Sequence, residues 1–433
     1  MEDYAVADKI VDPPRTFAYS MAVSQLASLA SIEDVLTTTG GPTTGEEETG
    51  GSSAAPHRPV TLIDLGTCDA RTAVPFFRAC ANRLRGRPGW RPDQPIQVVF
   101  EDHRHNDWAP VTSRNLRDEL NTTDVPPRRG SPSAGPHRSV SSSSSSPTIF
   151  PLLSTTSFFE ATVPPNTVDL AFTNCAFHYL SRAPPKARFH KAIRHVTADA
   201  RRDQKAIAAF RAAARQDWET LLLRRADELR DRGVLVVSNF AWDEDRDFHW
   251  GKTDTGASLY EELAACVQDL VDRGRLTVRE QRRMTTPAYY RTLREHRAPF
   301  DDPDSAVSRA GLRLRTAAIN ITRCPFRRDL LDRCTGPFTD VDMEEYATRF
   351  TRCFRSVTAW EVQRAFDDSN DPDDDAVAHT TPHPSRSADE RAAILDEVYR
   401  LFADRVKQRP LDFCFDSVMA ILVIDKVPKA AAK

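Results

Sequence analysis

The chain has 433 residues, of which 40% are hydrophobic and 28% charged, and its formal net charge at pH 7 is −3. A chain of this length and apolar content can bury a sizeable core, which excludes wholesale disorder. The near balance of 59 Lys and Arg against 62 Asp and Glu gives no overall basic field, so a nucleic-acid partner is not expected. No apolar run reaches the roughly 18 residues that a membrane span needs, so no membrane partner is expected either.

Eight cysteines are scattered along the chain, and no two of them form a Cys-x-x-Cys pair. This spacing fits neither a disulfide framework nor a zinc site, so small buried thiols in a reducing compartment are expected. The stretch from Met1 to Ile10 carries three acidic residues and lacks the order of a signal peptide. We therefore expect a cytoplasmic location.

Three stretches have no apolar periodicity and are rich in Pro, Gly, Ser or one charge sign. They are residues 37–59, 121–148 and 367–388. Such compositions are typical of solvated, disordered inserts. Each stretch can be removed without breaking a periodic segment. The remainder is interpreted as a core over 60–250, a mainly helical cap over 251–410 with a returning strand near 312–321, and a C-terminal core strand over 411–428.

Outside these stretches, short apolar runs alternate with helical spacing. The apolar runs, typical of buried strands, are residues 60–64, 96–100, 168–172 and 234–237, and helices are predicted over 73–84, 216–230, 259–271 and 346–360. This alternation predicts an α/β fold, with a mostly parallel twisted sheet and helices on both faces. Runs at 312–321 and 415–427 are predicted as edge strands, and the helices between them as an α-helical cap.

In such a sheet the ligand lies at the carboxyl ends of the strands, so the residues that follow each strand are informative. The second strand ends in Glu101-Asp102, and an acid there can accept two hydrogen bonds from a ribose diol. The turn after the first strand contains only Gly66, and the Gly-x-Gly-x-x-Gly pattern that holds a dinucleotide pyrophosphate is absent. These features disfavour NAD and favour a nucleoside ligand without phosphates, such as S-adenosylmethionine (SAM).

Four ordered blocks carry a resemblance to a known family. They are Asp-Leu-Gly at 64–66, Glu-Asp-His-Arg-His-Asn-Asp-Trp at 101–108, Ser-Phe-Phe at 157–159 and Phe-His-Tyr-Leu-Ser at 177–181. In this order and spacing the blocks resemble the SABATH family of SAM-dependent carboxyl methyltransferases. The resemblance covers nearly the whole chain outside the three inserts. It implies a class I (Rossmann-like) methyltransferase fold and SAM as the co-substrate.

The resemblance also implies a site, position by position. Asp64, Gly66 and Thr67 would line the methionine side of SAM, and Asp102 would bind the ribose hydroxyls. The other residues implied at the cofactor are Tyr19, Thr72, His103, Ser157 and Phe158. The acceptor would meet Gln25, Cys175, His178 and Tyr179, of which Gln25 and Tyr179 are implied as the catalytic pair. Residues 1–36 would thus form an N-terminal active-site segment.

The sequence departs from the family pattern at three places. Ala70 replaces the second glycine of the first block, and Tyr179 replaces a tryptophan that faces the substrate. A phenol can still donate a hydrogen bond, although at a different reach from an indole N–H. Residues 282–285, Arg-Arg-Met-Thr, replace a stretch that contributes metal contacts in some members, so no metal is predicted.

The predicted reaction explains why no catalytic triad or metal pattern is found. A carboxylic acid with a pKa of about 4 is already ionised at neutral pH, so no general base is needed. The expected partner is a small carboxylic acid, and a homodimer is left open. Two other functions also stay open, namely N-methylation of a small heterocycle and SAM binding without turnover. His178 could instead be a core histidine, and Cys175 is expected to be pocket wall rather than a nucleophile.

Overall fold

The computed structural model describes residues 58–70, 73–87, 90–91, 94–104, 106–122, 149–182, 204–251, 258–284, 286–334, 336–366 and 386–428. Three of the predicted site residues, Tyr19, Gln25 and Thr72, lie outside the described residues. Most of the three low-complexity stretches lies outside them as well.

Seven strands form one sheet in the order β3-β2-β1-β4-β5-β7-β6. Their bounds are β1 Val60–Leu65, β2 Ile96–Glu101, β3 Ile149–Ser154, β4 Val168–Asn174, β5 Leu229–Phe240, β6 Leu312–Thr322 and β7 Ser417–Lys426. The first five strands are mutually parallel, and β7 pairs antiparallel with both β5 and β6. The predicted α/β fold with a mostly parallel sheet is confirmed.

Eleven α-helices lie within the described residues. They are α1 Ala73–Arg85, α2 Ala109–Thr112, α3 Leu116–Asn121, α4 Gln204–Glu228, α5 Leu259–Asp272, α6 Val278–Arg283, α7 Leu293–Asp301, α8 Ala306–Arg309, α9 Pro325–Arg333, α10 Asp340–Gln363 and α11 Ala388–Gln408. Four of them begin with a capping box, which is formed by a Ser or Thr and an acid three residues later. The side chain of each residue accepts a hydrogen bond from the backbone amide of the other. The four caps are Ser258, Thr292, Thr339 and Ser387.

The central strands β1, β2 and β4 are buried along nearly their whole length because both faces of the sheet are covered. Neighbouring side chains on β1 point to opposite faces, so Leu62 packs with α1 and Ile63 packs with α4. Phe77 of α1 and Trp218 of α4 are almost fully buried against these two faces. Two-sided burial explains why the strands read as continuous apolar runs rather than as alternating ones.

The helices that follow β5 build a separate apolar cluster over one end of the sheet. Phe350 and Phe354 of α10, Phe402 of α11 and Phe415 just before β7 form its centre. The rings of Phe350 and Phe415 stack at 4.2 Å between centroids, which ties the cap to the strand that enters the sheet. Within the described part of the chain, no helix is long and apolar enough to cross a membrane.

Two features of the sheet differ from the prediction. Strand β3 was not predicted, because Pro151 interrupts a short run; the structure places it at the edge of the sheet, where proline is tolerated. The apolar run at 415–427 is predicted as an edge strand, but the strand it forms, β7, lies between β5 and β6. Eight of the ten residues of β7 form an unbroken buried stretch. Its apolar run over residues 418–424 fits this interior position.

The flanks of residues 123–148 are held to each other by one side chain. Asn121, the last residue of α3, accepts a hydrogen bond from the Ile149 amide at 2.9 Å and donates one to the Ile149 carbonyl at 3.2 Å. The two ends of the stretch therefore meet at the start of β3.

Deleting residues 123–148 and joining the ends by a short Gly/Ser link should shift the melting temperature by only a few degrees. Loop-closure free energy depends logarithmically on loop length, so shortening this connection changes stability by less than about 2 kcal/mol. Differential scanning calorimetry of both proteins measures the shift. A loss of about 2 kcal/mol lowers the melting temperature of a protein of this size by less than about 10 °C. A larger fall would mean that the Ser-rich stretch packs on the fold.

Candidate active site

The predicted site residues that the structure describes gather at the carboxyl ends of β1, β2 and β4. The connection order reverses at β1, because β2 and β3 lie on one side of it and β4 and β5 on the other. In an open parallel sheet this switch point leaves a crevice in which ligands bind. The loops after β1, β2, β3 and β4 supply all the described candidates.

The turn after β1 is shaped by a close approach to the segment that follows β4. Gly66 has φ +80°, and a Cβ built on it would lie 2.4 Å from the Cβ of Ala176. Only glycine fits both the backbone conformation and the contact. Four residues on, Ala70 is fully buried with φ +59°, a conformation that costs a non-glycine residue on the order of 1 kcal/mol. The departure from the family pattern at Ala70 thus falls where glycine would relieve backbone strain.

Two buried carboxyl groups lie beneath this turn. Burial raises the pKa of Asp64 to about 7, an effect partly offset by the Thr67 hydroxyl and reinforced by the charge of Asp102. Burial also raises the pKa of Glu101 to about 9, so this residue is a neutral acid at pH 7. Glu101 Oε2 accepts a hydrogen bond from the Gly66 amide at 3.0 Å, whereas Oε1 has no partner among the described residues.

Asp102 links the loop after β2 to the loop after β1. Its Oδ2 accepts a hydrogen bond from the Cys68 amide at 2.9 Å, and its Oδ1 accepts one from the His103 amide at 2.8 Å. The Asn106 side chain completes the link by donating to the Cys68 carbonyl at 2.8 Å. Asp102 is half-buried and His103 is exposed, so both lie on the open side of the Gly66 turn.

The loop after β3 brings Ser157 and Phe158 to the same turn. The Phe158 ring comes within 3.7 Å of the position that a Cβ on Gly66 would occupy. Its centroid lies 5.2 Å from that of Phe177, which belongs to the segment after β4. The Ser157 hydroxyl accepts a hydrogen bond from the Phe159 amide at 3.4 Å. The structure therefore brings together, from three separate loops, residues that are predicted to bind the cofactor.

Residues 175–181, called the acceptor segment because they are predicted to meet the methyl acceptor, are held through their backbone by residues 287–291. The Leu180 amide donates to the Pro287 carbonyl at 2.7 Å, and the Tyr289 amide donates to the His178 carbonyl at 2.8 Å. The guanidinium of buried Arg291 donates to the Phe177 carbonyl, also at 2.7 Å. These contacts fix the direction in which the side chains of the segment project.

Three side chains of the acceptor segment were predicted to face the substrate. Burial raises the pKa of the Cys175 thiol to about 12, which agrees with a wall residue rather than a nucleophile. His178 is 2% exposed, and its Nδ1 lies 3.3 Å from Asn239 Oδ1. The half-buried Tyr179 ring packs on His178 at 4.2 Å and meets Trp360 of the cap edge-on at 5.9 Å.

Sequence reasoning missed three residues at this site. The sequence indicates an acid at the end of β2, but it assigns the site to Asp102 and does not predict the buried position of Glu101 under the Gly66 turn. Asn239, which contacts His178, and Trp360, which contacts Tyr179, come from β5 and α10 and carried no signal of their own. Among the described residues, no three His, Cys, Asp or Glu side chains gather as a metal site would require.

The mostly parallel sheet, its switch point at β1 and the acids at the carboxyl ends of β1 and β2 fit a SAM-dependent methyltransferase of the Rossmann-like class. The sequence profile described as SAM-dependent carboxyl methyltransferase matches residues 80–366. The chain belongs to this family, which confirms the resemblance seen in the sequence, together with its fold, co-substrate and reaction.

A solved structure shares the fold of this chain. Loganic acid methyltransferase with S-adenosylhomocysteine (SAH) has 15% sequence identity and a TM-score of 0.57, and the match covers 98% of this chain and 99% of that one. The cyclopropane synthase MmaA2 from Mycobacterium tuberculosis has 11% identity and a TM-score of 0.33, covering 93% of this chain and 84% of that one. No curated protein sequence matches the chain.

Replacing Asp102 by alanine should weaken SAH binding by roughly 2–4 kcal/mol, because two hydrogen bonds from the ribose to a carboxylate are lost. Isothermal titration with SAH gives the dissociation constant. Asp107→Ala is the matched control, since Asp107 is a nearby exposed acid whose Oδ1 accepts a hydrogen bond from the Ala109 amide. Equal constants for wild type and Asp102→Ala, with the fold intact, would remove Asp102 from the site.

SAH affinity should rise with pH across the pKa of Asp64, which burial places at about 7. An ionised Asp64 can pair with the ammonium of the methionine moiety, whereas the protonated acid cannot. From about pH 6 to about pH 8 the ionised fraction rises roughly tenfold, and the dissociation constant should fall by a similar factor. Asp64→Asn should bind more weakly and lose this dependence. A wild-type constant that is flat over the range contradicts the assignment.

Proposed function

We propose that the protein methylates the carboxylate of a small organic acid with an apolar or aromatic body, and that the site residues described above carry this reaction. The observation that carries the proposal is the contact between the Gly66 turn and Ala176, since it joins the cofactor loops to the acceptor segment. The family match supports the reaction type. The choice of residues rests on their positions around this contact.

The residues present fit a SAM molecule. The cradle at Gly66 would be filled by any Cβ, and Glu101 Oε1 is a buried oxygen that has no partner within the described part of the chain. Asp102 would accept hydrogen bonds from the ribose hydroxyls, and Asp64 would face the methionine ammonium. Because Glu101 is neutral at pH 7, the site holds at most two negative charges rather than three. When bound, SAM supplies a methyl group on a positively charged sulfur.

The acceptor segment suits a carboxylate held by uncharged donors. A cationic partner would lower the nucleophilicity of the carboxylate, whereas a phenol O–H orients it without neutralising it. Tyr179 is such a donor, and its ring is supported by His178 on one side and by Trp360 on the other. Gln25, which lies outside the described residues, is proposed as the second donor.

The body of the acid would lie against aromatic walls. Phe240 and Tyr290 pack edge-on around the His178 ring at 5.2 and 5.4 Å, so the surroundings of the segment are apolar. Apolar walls exclude water from the reacting carboxylate and strengthen the few polar contacts that remain. Such a site favours an acid with a ring or a hydrocarbon skeleton over a small polyvalent acid.

Positioning is the main catalytic contribution expected from this chain. The carboxylate is ionised before it binds, so no residue has to remove a proton. Holding the oxygen in line with the transferred methyl provides effective molarities on the order of 10⁵ M or more. The backbone contacts that fix residues 175–181 provide the required rigidity.

We also place the reaction in the cytoplasm. All eight cysteines are free thiols in the structure, which supports a compartment that keeps thiols reduced.

Tyr179→Phe removes only the hydroxyl and keeps the aromatic wall. We expect kcat/KM for the acid to fall by about tenfold to a few hundredfold, the effect of one hydrogen bond to a charged group worth about 1.5–3 kcal/mol. The assay measures transfer of labelled methyl from SAM to a panel of aromatic and fatty acids.

The SAH dissociation constant serves as the control in this experiment, and it should stay near the wild-type value. A wild-type rate in Tyr179→Phe would show that the phenol does not hold the acceptor. Methylation of heterocyclic nitrogens but not of acids would favour the alternative N-methyltransferase function.

A further inference from the structure

A buried ion pair lies at the end of α4, behind the loop that carries Phe158. The side chains of Arg225 and Glu228 are 0% and 3% exposed. Two charge-assisted hydrogen bonds of 2.8 Å join them, from Arg225 Nε to Glu228 Oε2 and from Arg225 Nη2 to Glu228 Oε1. Neither residue belongs to the blocks that define the family site.

Both members of the pair bind the same short loop, residues 158–162. Arg225 donates to the Phe158 carbonyl at 3.0 Å and to the Glu160 carbonyl at 3.2 Å. Glu228 Oε1 accepts hydrogen bonds from the Thr162 amide at 2.7 Å and from the Thr162 hydroxyl at 3.0 Å. Four hydrogen bonds from one ion pair therefore hold five consecutive residues.

The geometry depends on a guanidinium group. Its planar fork reaches two carbonyl oxygens and a carboxylate at once, which the single ammonium of a lysine cannot do with the same directions. A buried ion pair is also poor evidence for a stabilising role, since apolar residues of similar volume are often as stable or more so. The pair is therefore better explained by the loop conformation that it specifies.

We propose that Arg225 and Glu228 are positioning residues for the cofactor. By holding the backbone on either side of Phe159, they set the Phe158 ring against the Gly66 turn and Phe177, where it closes the cofactor site. Neither residue touches the cofactor in this arrangement. The inference rests on the proposed function, because it assumes that the loop closes over the adenine.

Asp169 supplies a matched control at the opposite end of the sheet. It is 3% exposed, accepts a hydrogen bond from the Thr61 amide at 2.9 Å and forms an ion pair with Arg58 at 3.0 Å. Glu228→Gln and Asp169→Asn are therefore the same chemical change, a carboxylate to its amide, at two buried carboxylates that each pair with an arginine. Only the first lies next to the Phe158 loop.

The experiment measures SAH binding by titration calorimetry and melting temperature for Arg225→Lys, Glu228→Gln and Asp169→Asn. We expect the first two variants to bind SAH about tenfold or more weakly than wild type. Asp169→Asn should melt at a lower temperature yet bind SAH within about twofold of wild type. Hydrogen exchange at the Thr162 amide should accelerate in Glu228→Gln and stay slow in Asp169→Asn.

A double variant, Arg225→Met with Glu228→Leu, keeps the test decisive if the single variants do not fold. It replaces the pair by apolar residues without leaving one charge unpaired. A folded double variant that binds SAH weakly supports positioning. Wild-type affinity in the double variant or in Arg225→Lys overturns the proposal, and so does an equal loss of affinity in Asp169→Asn.

Failure of the proposed function gives a different result. If wild-type protein does not bind SAH at all, the cofactor assignment is wrong, whatever the variants do. The Thr162 amide then still reports whether the ion pair holds the loop, and unchanged exchange in Glu228→Gln would overturn that part as well.

Discussion

The approach of Gly66 to Ala176 is the constraint on which the rest of the site depends. A side chain on Gly66 would collide with the Ala176 Cβ, so the turn after β1 and the segment after β4 can meet only at a glycine. That contact places the ends of two neighbouring parallel strands in one crevice. The Phe158 ring reaches the same point from the loop after β3. The loops after β1, β3 and β4 therefore meet at the Cα of Gly66.

The electrostatics of the site follow from this crowding. Asp64, Glu101 and Asp102 follow one another around the turn, and burial alone would make three carboxylates costly there. The free-energy cost of burying a carboxylate is lowered in a different way at each of the three positions. Glu101 stays protonated, Asp64 has a pKa near neutrality, and Asp102 accepts two backbone amides. Crowding around the turn thus lowers the number of negative charges that its buried carboxyl groups carry at pH 7.

Much of this arrangement could be predicted from the sequence, for identifiable reasons. The strands β1, β2 and β4 are buried on both faces, so their runs are unmistakably apolar, and the polar residues that follow them mark the site. Strand β3 could not be predicted in the same way. It is an edge strand with a proline and three exposed apolar side chains, and its pattern matches neither a buried nor a half-buried strand.

Contacts between segments that are distant in sequence could not be predicted from the sequence either. Trp360 meets Tyr179, and Asn239 meets His178, only because α10 and β5 bring them there. No local pattern encodes such a meeting. Arg225 and Glu228 show the same limit: their spacing predicts a pair on one helix, but not which loop the pair binds.

The interior position of β7 has a consequence for how the chain assembles. In the sheet, strand β7 lies between β5 and β6. In the sequence, it follows β5 by well over a hundred residues and β6 by nearly a hundred. During synthesis, β5 is therefore left with one unpaired edge until residues 417–426 have been made. A sheet that is completed only by a distant strand folds slowly, because its contacts are far apart in sequence. Until then the unpaired backbone groups of β5 can pair with strands of other chains. Nascent chains that end before β7 should accordingly depend on chaperones, even though the sheet from β1 to β5 is already complete in sequence.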